Sequence, residues 1–147
     1  MEEIISVKII KQSDDIRIPK QSTDGSAGYD LYAPADYVIP PGAGKMISLE
    51  FGIEIENPGI CGKIYCRSGL ARQGIFISGA PTIIDRDFQG VIRIFIRNHT
   101  KRRYRIRRDD RIAQMVFERY FNAEWIEAKE FNRKSTRGKG GFGSTGK

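Results

Sequence analysis

The clearest pattern in the chain is a strict alternation over residues 47–56. Ile47, Leu49, Phe51, Ile53 and Ile55 are apolar and alternate with Ser48, Glu50, Gly52, Glu54 and Glu56. A period of two puts the five apolar side chains on one face of an extended backbone, which predicts a half-buried strand. Ile92, Ile94 and Ile96 repeat the pattern against Arg93 and Arg97, with Phe95 on the basic face. Shorter runs predict strands at 4–10, 36–40, 60–66, 75–78, 103–107 and 112–121. Turn residues punctuate them at Pro40-Pro41-Gly42, Asn57-Pro58-Gly59, Gln89-Gly90 and Asn98-His99. Many short strands at such spacing make an all-β fold, a sandwich or barrel, and argue against βαβ units. One short turn of helix fits Ser68 to Arg72, ended by Gly74, and residues 123–130 carry no decisive period.

With 147 residues, 39% of them hydrophobic, the chain is one domain's worth and can bury a single core. The composition changes near residue 132. Residues 133–147 hold Arg133, Lys134, Arg137, Lys139 and Lys147, five glycines and no acid, and cannot bury enough apolar area to fold alone. The expected division is a β core over 1–131 and an arm over 132–147, flexible or ordered by a ligand. No apolar run approaches the roughly 20 residues that cross a bilayer. Acids at Glu2 and Glu3 stand where a secretory signal would be basic, so an intracellular protein, in cytoplasm or nucleus, is expected. Cys61 and Cys66 are an odd number of residues apart, on opposite faces of a strand, which argues against a disulfide. With His99 they are too few for a structural zinc site. A net charge of +7 favours an anionic partner, whether nucleotide, nucleic acid or acidic surface.

Five segments place Asp, Arg, Ser, Gln and Gly where strands should end. They are Ala27-Gly28-Tyr29-Asp30-Leu31-Tyr32-Ala33, Cys66-Arg67-Ser68-Gly69-Leu70-Ala71, Thr82-Ile83-Ile84-Asp85-Arg86-Asp87-Phe88-Gln89-Gly90, Asp109-Asp110-Arg111-Ile112-Ala113-Gln114-Met115, and Arg137-Gly138-Lys139-Gly140-Gly141-Phe142-Gly143-Ser144-Thr145-Gly146. In this order and at these spacings they resemble the five motifs of the trimeric dUTPase family, across most of the chain. The resemblance implies a jelly-roll subunit, a homotrimer with active sites at subunit interfaces, Mg²⁺ on the triphosphate, and hydrolysis of dUTP to dUMP and pyrophosphate by water attacking the α-phosphorus.

It also implies residue roles. Asp85 resembles the general base, and a fixed carboxylate can orient water and take its proton. Asp30 resembles the carboxylate that holds Mg²⁺ through water, which suits an ion that keeps several waters. Arg67, Ser68, Gly69 and Gln114 resemble contacts to the phosphate chain, where an arginine fork matches phosphate oxygens. The stretch from Gly79 through Ile84 to Phe88 resembles the hairpin that offers main-chain groups to uracil. Phe88 stands where the family usually has Tyr and keeps a ring to pack on deoxyribose. Thr82 stands where the family usually has Gly, and a β-branched residue resists positive φ. A local variant of the hairpin, or altered uracil binding, is therefore expected. In the arm, Arg137, Ser144 and Thr145 resemble γ-phosphate ligands. Phe142 resembles the ring that stacks on uracil, and Gly143 lets backbone approach the phosphates. The arm would close over the nucleotide and exclude water.

Rival readings rest on other features. Gly141 to Lys147 satisfies most of a P-loop pattern but lacks the preceding strand and following helix that such a loop needs. Lys101-Arg102-Arg103-Tyr104-Arg105-Ile106-Arg107-Arg108 could be a nucleic-acid patch. Tyr104 and Ile106 at period two favour an edge strand with a solvated basic face. A protein of the same fold kept for binding or regulation, with little or no catalysis, and a dCTP deaminase are the remaining alternatives.

Overall fold

Strands make up almost all the regular structure among residues 3–141, the residues that the computed structural model describes. In chain order they are β1 (Val7–Lys11), β2 (Lys20–Gln21), β3 (Tyr29–Tyr32), β4 (Tyr37–Ile39), β5 (Gly44–Ser48), β6 (Phe51–Ile55), β7 (Ile60–Tyr65), β8 (Ile75–Ile77), β9 (Thr82–Ile84), β10 (Arg93–Asn98), β11 (Tyr104–Ile106) and β12 (Arg111–Arg119). One short helix, α1 (Ser68–Arg72), follows β7, and Gly74 at φ 82° ends it. The strands form pairs β1-β6 and β11-β4, a three-stranded sheet β5-β10-β8, and a five-stranded sheet β2-β3-β12-β7-β9. The sheets wrap one core that includes Leu31, Ile39, Ile47, Leu49, Phe51, Ile64, Ile94, Ile96 and Ile112. The all-β fold expected from the alternation is the architecture found.

The long alternating stretch is not one strand. Glu50 takes φ 59°, in the left-handed region, and the chain passes there from β5, paired with β10, to β6, paired with β1. The apolar face survives the break: Ile47, Leu49, Phe51, Ile53 and Ile55 are all buried. Burial of one face, more than continuous pairing, is what the period of two records. Residues 123–130, ambiguous in sequence, form neither helix nor strand.

Asn98, expected to mark a turn, is instead the buried last residue of β10. Its Nδ2 donates to the carbonyls of Ile39 at 3.0 Å, Pro40 at 3.3 Å and Arg102 at 2.7 Å. Its Oδ1 accepts from Thr100 N at 2.9 Å and Thr100 Oγ1 at 2.8 Å. One amide thus satisfies main-chain groups at two chain reversals, as a buried polar group must. The basic stretch 101–108 contains β11, with Ile106 buried and Arg105 turned to solvent, paired with β4. Both cysteines are free thiols.

Candidate active site

The five-stranded sheet brings three of the five segments together. At its centre β12 pairs antiparallel with both β3 and β7, and the register sets Gln114 opposite Asp30 on one side and Tyr65 on the other. Side chains directly opposite share a face. Asp30, Gln114 and the end of β7, which leads into Arg67, therefore converge at one end of the outward face. Gln114 Nε2 donates to the Cys66 carbonyl at 3.0 Å. Arg67 Nε lies 2.9 Å from Asp30 Oδ1, and Arg67 Nη1 donates to the Arg111 carbonyl at 3.4 Å. An arginine has five N–H donors, so most of the Arg67 fork is left to meet an anion.

Arg67 is the extended N-cap residue of α1, and no side chain caps that helix start. The first-turn N–H groups of Ser68 and Gly69 point the way a helix offers to negative charge. A side chain added at Gly69 would meet nothing, so the backbone there is open to approach. Gly28 is required for the opposite reason: a methyl group at that position would overlap Gln114 Oε1. A Gly28→Ala variant is expected to push Gln114 off Cys66, lowering stability by about 1–2 kcal/mol. Affinity for the anionic ligand should fall with it. Thermal unfolding alongside a binding titration measures both, and a native-like affinity would show that Gln114 is not needed in its observed place.

Beside this cluster, on the same face, Glu118 accepts from Tyr65 Oη at 2.6 Å and Lys63 Nζ at 2.7 Å. The Lys63 ammonium, and then the Tyr65 hydroxyl, hold the Glu118 carboxyl below its usual value, while Glu118 raises both Lys63 and Tyr65. The three groups brace β7 against β12 behind Gln114.

Asp85 lies elsewhere. β9 runs antiparallel to β7 with Ile64 opposite Thr82 and Gly62 opposite Ile84. Asp85, one step further, is level with Cys61, at the end of β7 remote from Arg67. At about 3.3 Å per residue and 4.8 Å between strands, Asp85 sits roughly 13 Å along the sheet and about 10 Å across it from Gln114. It is exposed and borders a groove of about 260 Å³ lined also by Thr82, Ile83, Phe88 and Arg93. Phe88 is 41% exposed, with its ring over Gly90. Within one chain, then, Asp30, Arg67, Ser68, Gly69 and Gln114 form one group, and Asp85 and Phe88 another.

Residues 14–146 match the family model for dUTPase. The chain belongs to the dUTPase family. Among its relatives is the deoxyuridine 5'-triphosphate nucleotidohydrolase of Nautilia profundicola, 40% identical over 144 residues that cover 97% of this chain and all of the relative. The enzyme of the same name from Vaccinia virus (strain Copenhagen) is 38% identical over 141 residues, covering 95% of this chain and 92% of the other. The structure of the Staphylococcus bacteriophage 80alpha dUTPase with dUpNHpp has a TM-score of 0.87 at 25% identity, covering 96% of this chain and 98% of that one.

Against the dUTPase motifs, the hairpin between β8 and β9 departs less than its sequence suggests. The left-handed residue is Gly79, at φ 78°, while Thr82 starts β9 as an ordinary extended residue paired with Ile64. No positive φ is asked of the β-branched side chain. Ile84 is buried, so only its main chain can serve a ligand. Towards the end of the described residues, Arg137 Nε donates to the Gly140 carbonyl at 2.9 Å, and no strand or helix forms between residues 121 and 141. Phe142, Gly143, Ser144 and Thr145 lie outside the described residues. Two groups escaped the sequence reading: Ser22, from outside the five segments, and Arg111, from inside the fourth, both of which touch Asp30 or its partners.

Proposed function

We propose that this chain hydrolyses dUTP to dUMP and pyrophosphate, in sites shared between the subunits of a homotrimer. Membership of the dUTPase family supports the reaction, and the relatives named above carry that activity in their names. The observation that carries the assembly is the separation of Asp85 from Arg67 and Gln114 along β7. A nucleophilic water must touch both its base and the phosphorus it attacks. A base more than 10 Å away in its own chain can meet the phosphate grip only on a neighbour, and closed cyclic symmetry repeats that contact without leaving an open end. Phe121, Trp125 and Phe131 are 93%, 95% and 98% exposed. Four such bulky side chains, counting Ile126, along a stretch without helix or strand form an apolar surface suited to burial against a partner subunit. It would also carry the arm towards a neighbouring site.

In the assembled site, Arg67, Ser68, Gly69 and Gln114 bind the phosphate chain, and Arg137, Ser144 and Thr145 hold its far end. Main-chain groups from Gly79 to Ile84 read uracil, Phe88 packs on the deoxyribose, Phe142 closes over the base, and Gly143 lets backbone approach the phosphates. Asp85 orients a water and takes its proton as the oxygen attacks the α-phosphorus. Pyrophosphate is expelled while the guanidiniums spread the growing charge.

The residues present fit magnesium held through water. No cluster of three metal-ligating side chains exists among the described residues, so these residues build no cage of their own. Asp30 offers one buried carboxylate with lone pairs beyond those used by Arg67 and Ser22. That matches an ion that arrives on the triphosphate and keeps its waters. Bound there, Mg²⁺ neutralises phosphate charge. A structural Mg(II) ion belongs to the related dUTPase of phage phi11. For location, no helix among the described residues is long and apolar enough to cross a membrane, and we place the protein inside the cell.

The test is pyrophosphate release in Mg²⁺ from dUTP, with dTTP, dCTP and UTP as controls. Selective turnover of dUTP is expected. Equal turnover of dTTP would remove the uracil-reading hairpin from the account, and no turnover of any would remove the reaction.

A further inference from the structure

Asp30 is only 5% exposed, and a buried carboxylate is costly unless its oxygens are paired. Its two oxygens have separate partners. Oδ1 is paired with the Arg67 guanidinium, whose Nε lies 2.9 Å away. Oδ2 accepts from Ser22 Oγ at 2.6 Å, with Arg111 Nη1 3.6 Å away. A serine hydroxyl has one proton and can also accept. Here the proton goes to Asp30 while the oxygen accepts from Arg111 Nη1 at 3.3 Å. The result is a directed chain of donors, from Arg111 to Ser22 to Asp30, with Arg67 closing on the other oxygen.

The local backbone exists to deliver that hydroxyl. β2 is two residues long, Lys20 and Gln21 pairing with Asp30 and Tyr29, and Ser22 follows directly. The loop beyond is tied by Ser26 N to the Thr23 carbonyl at 3.0 Å and by Thr23 N to Ser26 Oγ at 3.2 Å. The last torsion of an aspartate is broad, so a carboxylate gripped at one oxygen can rotate. Gripped at both, it fixes the line along which Arg67 presents the rest of its fork.

We propose that Ser22 is a positioning residue for the triphosphate. It touches no nucleotide atom; it holds Asp30, and through Asp30 it aims Arg67 at the phosphate chain. The proposal rests on the dUTP reading above and assigns work within it to a residue outside the five motif segments.

The experiment compares binding of a non-hydrolysable imido analogue of dUTP with binding of deoxyuridine, by calorimetry on the assembled full-length protein. Ser22→Ala is expected to weaken the analogue about tenfold, as loss of a hydrogen bond to a charged group does. Deoxyuridine, which has no phosphate, should bind Ser22→Ala as it binds the native protein. Ser22→Thr, which keeps the hydroxyl, should restore the analogue's affinity. In steady state KM should rise while kcat changes by less than about threefold. An unchanged affinity for the analogue, or an equal loss for deoxyuridine, would overturn the role of Ser22 and leave the dUTP reading standing. A native protein that binds neither ligand would remove both.

Discussion

An Asp85→Asn variant is expected to lose about 10³-fold in kcat for dUTP with KM within about threefold of native, the span that a general base contributes. The amide keeps the size of the carboxylate and can still contact a water, but it cannot take the proton. The fold should not notice. Asp85 is exposed at the end of β9, and the turn that follows is held by its backbone, with Phe88 N donating to the Asp85 carbonyl at 3.1 Å. Surface changes of this kind stay within about 0.5 kcal/mol. Single-turnover hydrolysis, an imido-dUTP titration and a thermal melt separate the three quantities. Native-like turnover would show that another group takes the proton, and a loss of binding equal to the loss of rate would make Asp85 a ligand contact.

What the sequence made legible was composition along strands and chemistry at their ends. The alternation from Ile47 to Ile55 placed five side chains in the core without revealing that Glu50 breaks the strand. Positive φ at that glutamate marks the passage of the chain from one sheet to another, and nothing local announces it. Asn98 next to His99 has turn-like composition, and its burial depends on the carbonyls of Ile39 and Pro40, almost sixty residues away. The site shows the same division. Segments containing Asp30, Arg67 and Gln114 could be picked out by residue type, yet their adjacency is a matter of register between β3, β12 and β7. Ser22 carried no signal, being one polar residue in a polar stretch. Its meaning comes from Asp30 eight positions on. The distance between Asp85 and Arg67 was likewise hidden, because it is set by the direction in which β9 runs beside β7.

That distance leads to the second large effect. In the proposed site Arg67→Ala would remove the fork from the phosphate grip and should leave a protein as inactive as Asp85→Asn, since a charged partner of the reacting phosphate would be lost from a preorganised site. Asp30 would also lose its closest cation, so the Arg67→Ala chain should be the less stable of the two. If each site takes Asp85 from one subunit and Arg67 from another, the two inactive chains can repair each other. A trimer containing both has some sites in which the Asp85→Asn chain supplies Arg67 and the Arg67→Ala chain supplies Asp85. Random assembly of equal amounts makes about a quarter of all sites fully native. Co-expression should therefore recover about that fraction of native activity from two preparations with almost none. The reverse mixture is as informative: a chain carrying both substitutions, exchanged with an equal amount of native chain, should also leave about a quarter of the sites working, against about half if both residues served the same chain's site. No recovery from mixtures proven to exchange subunits would mean that Asp85 reaches Arg67 within one chain. The antiparallel register of β7 and β9, with Gly62 against Ile84, would then have to be wrong.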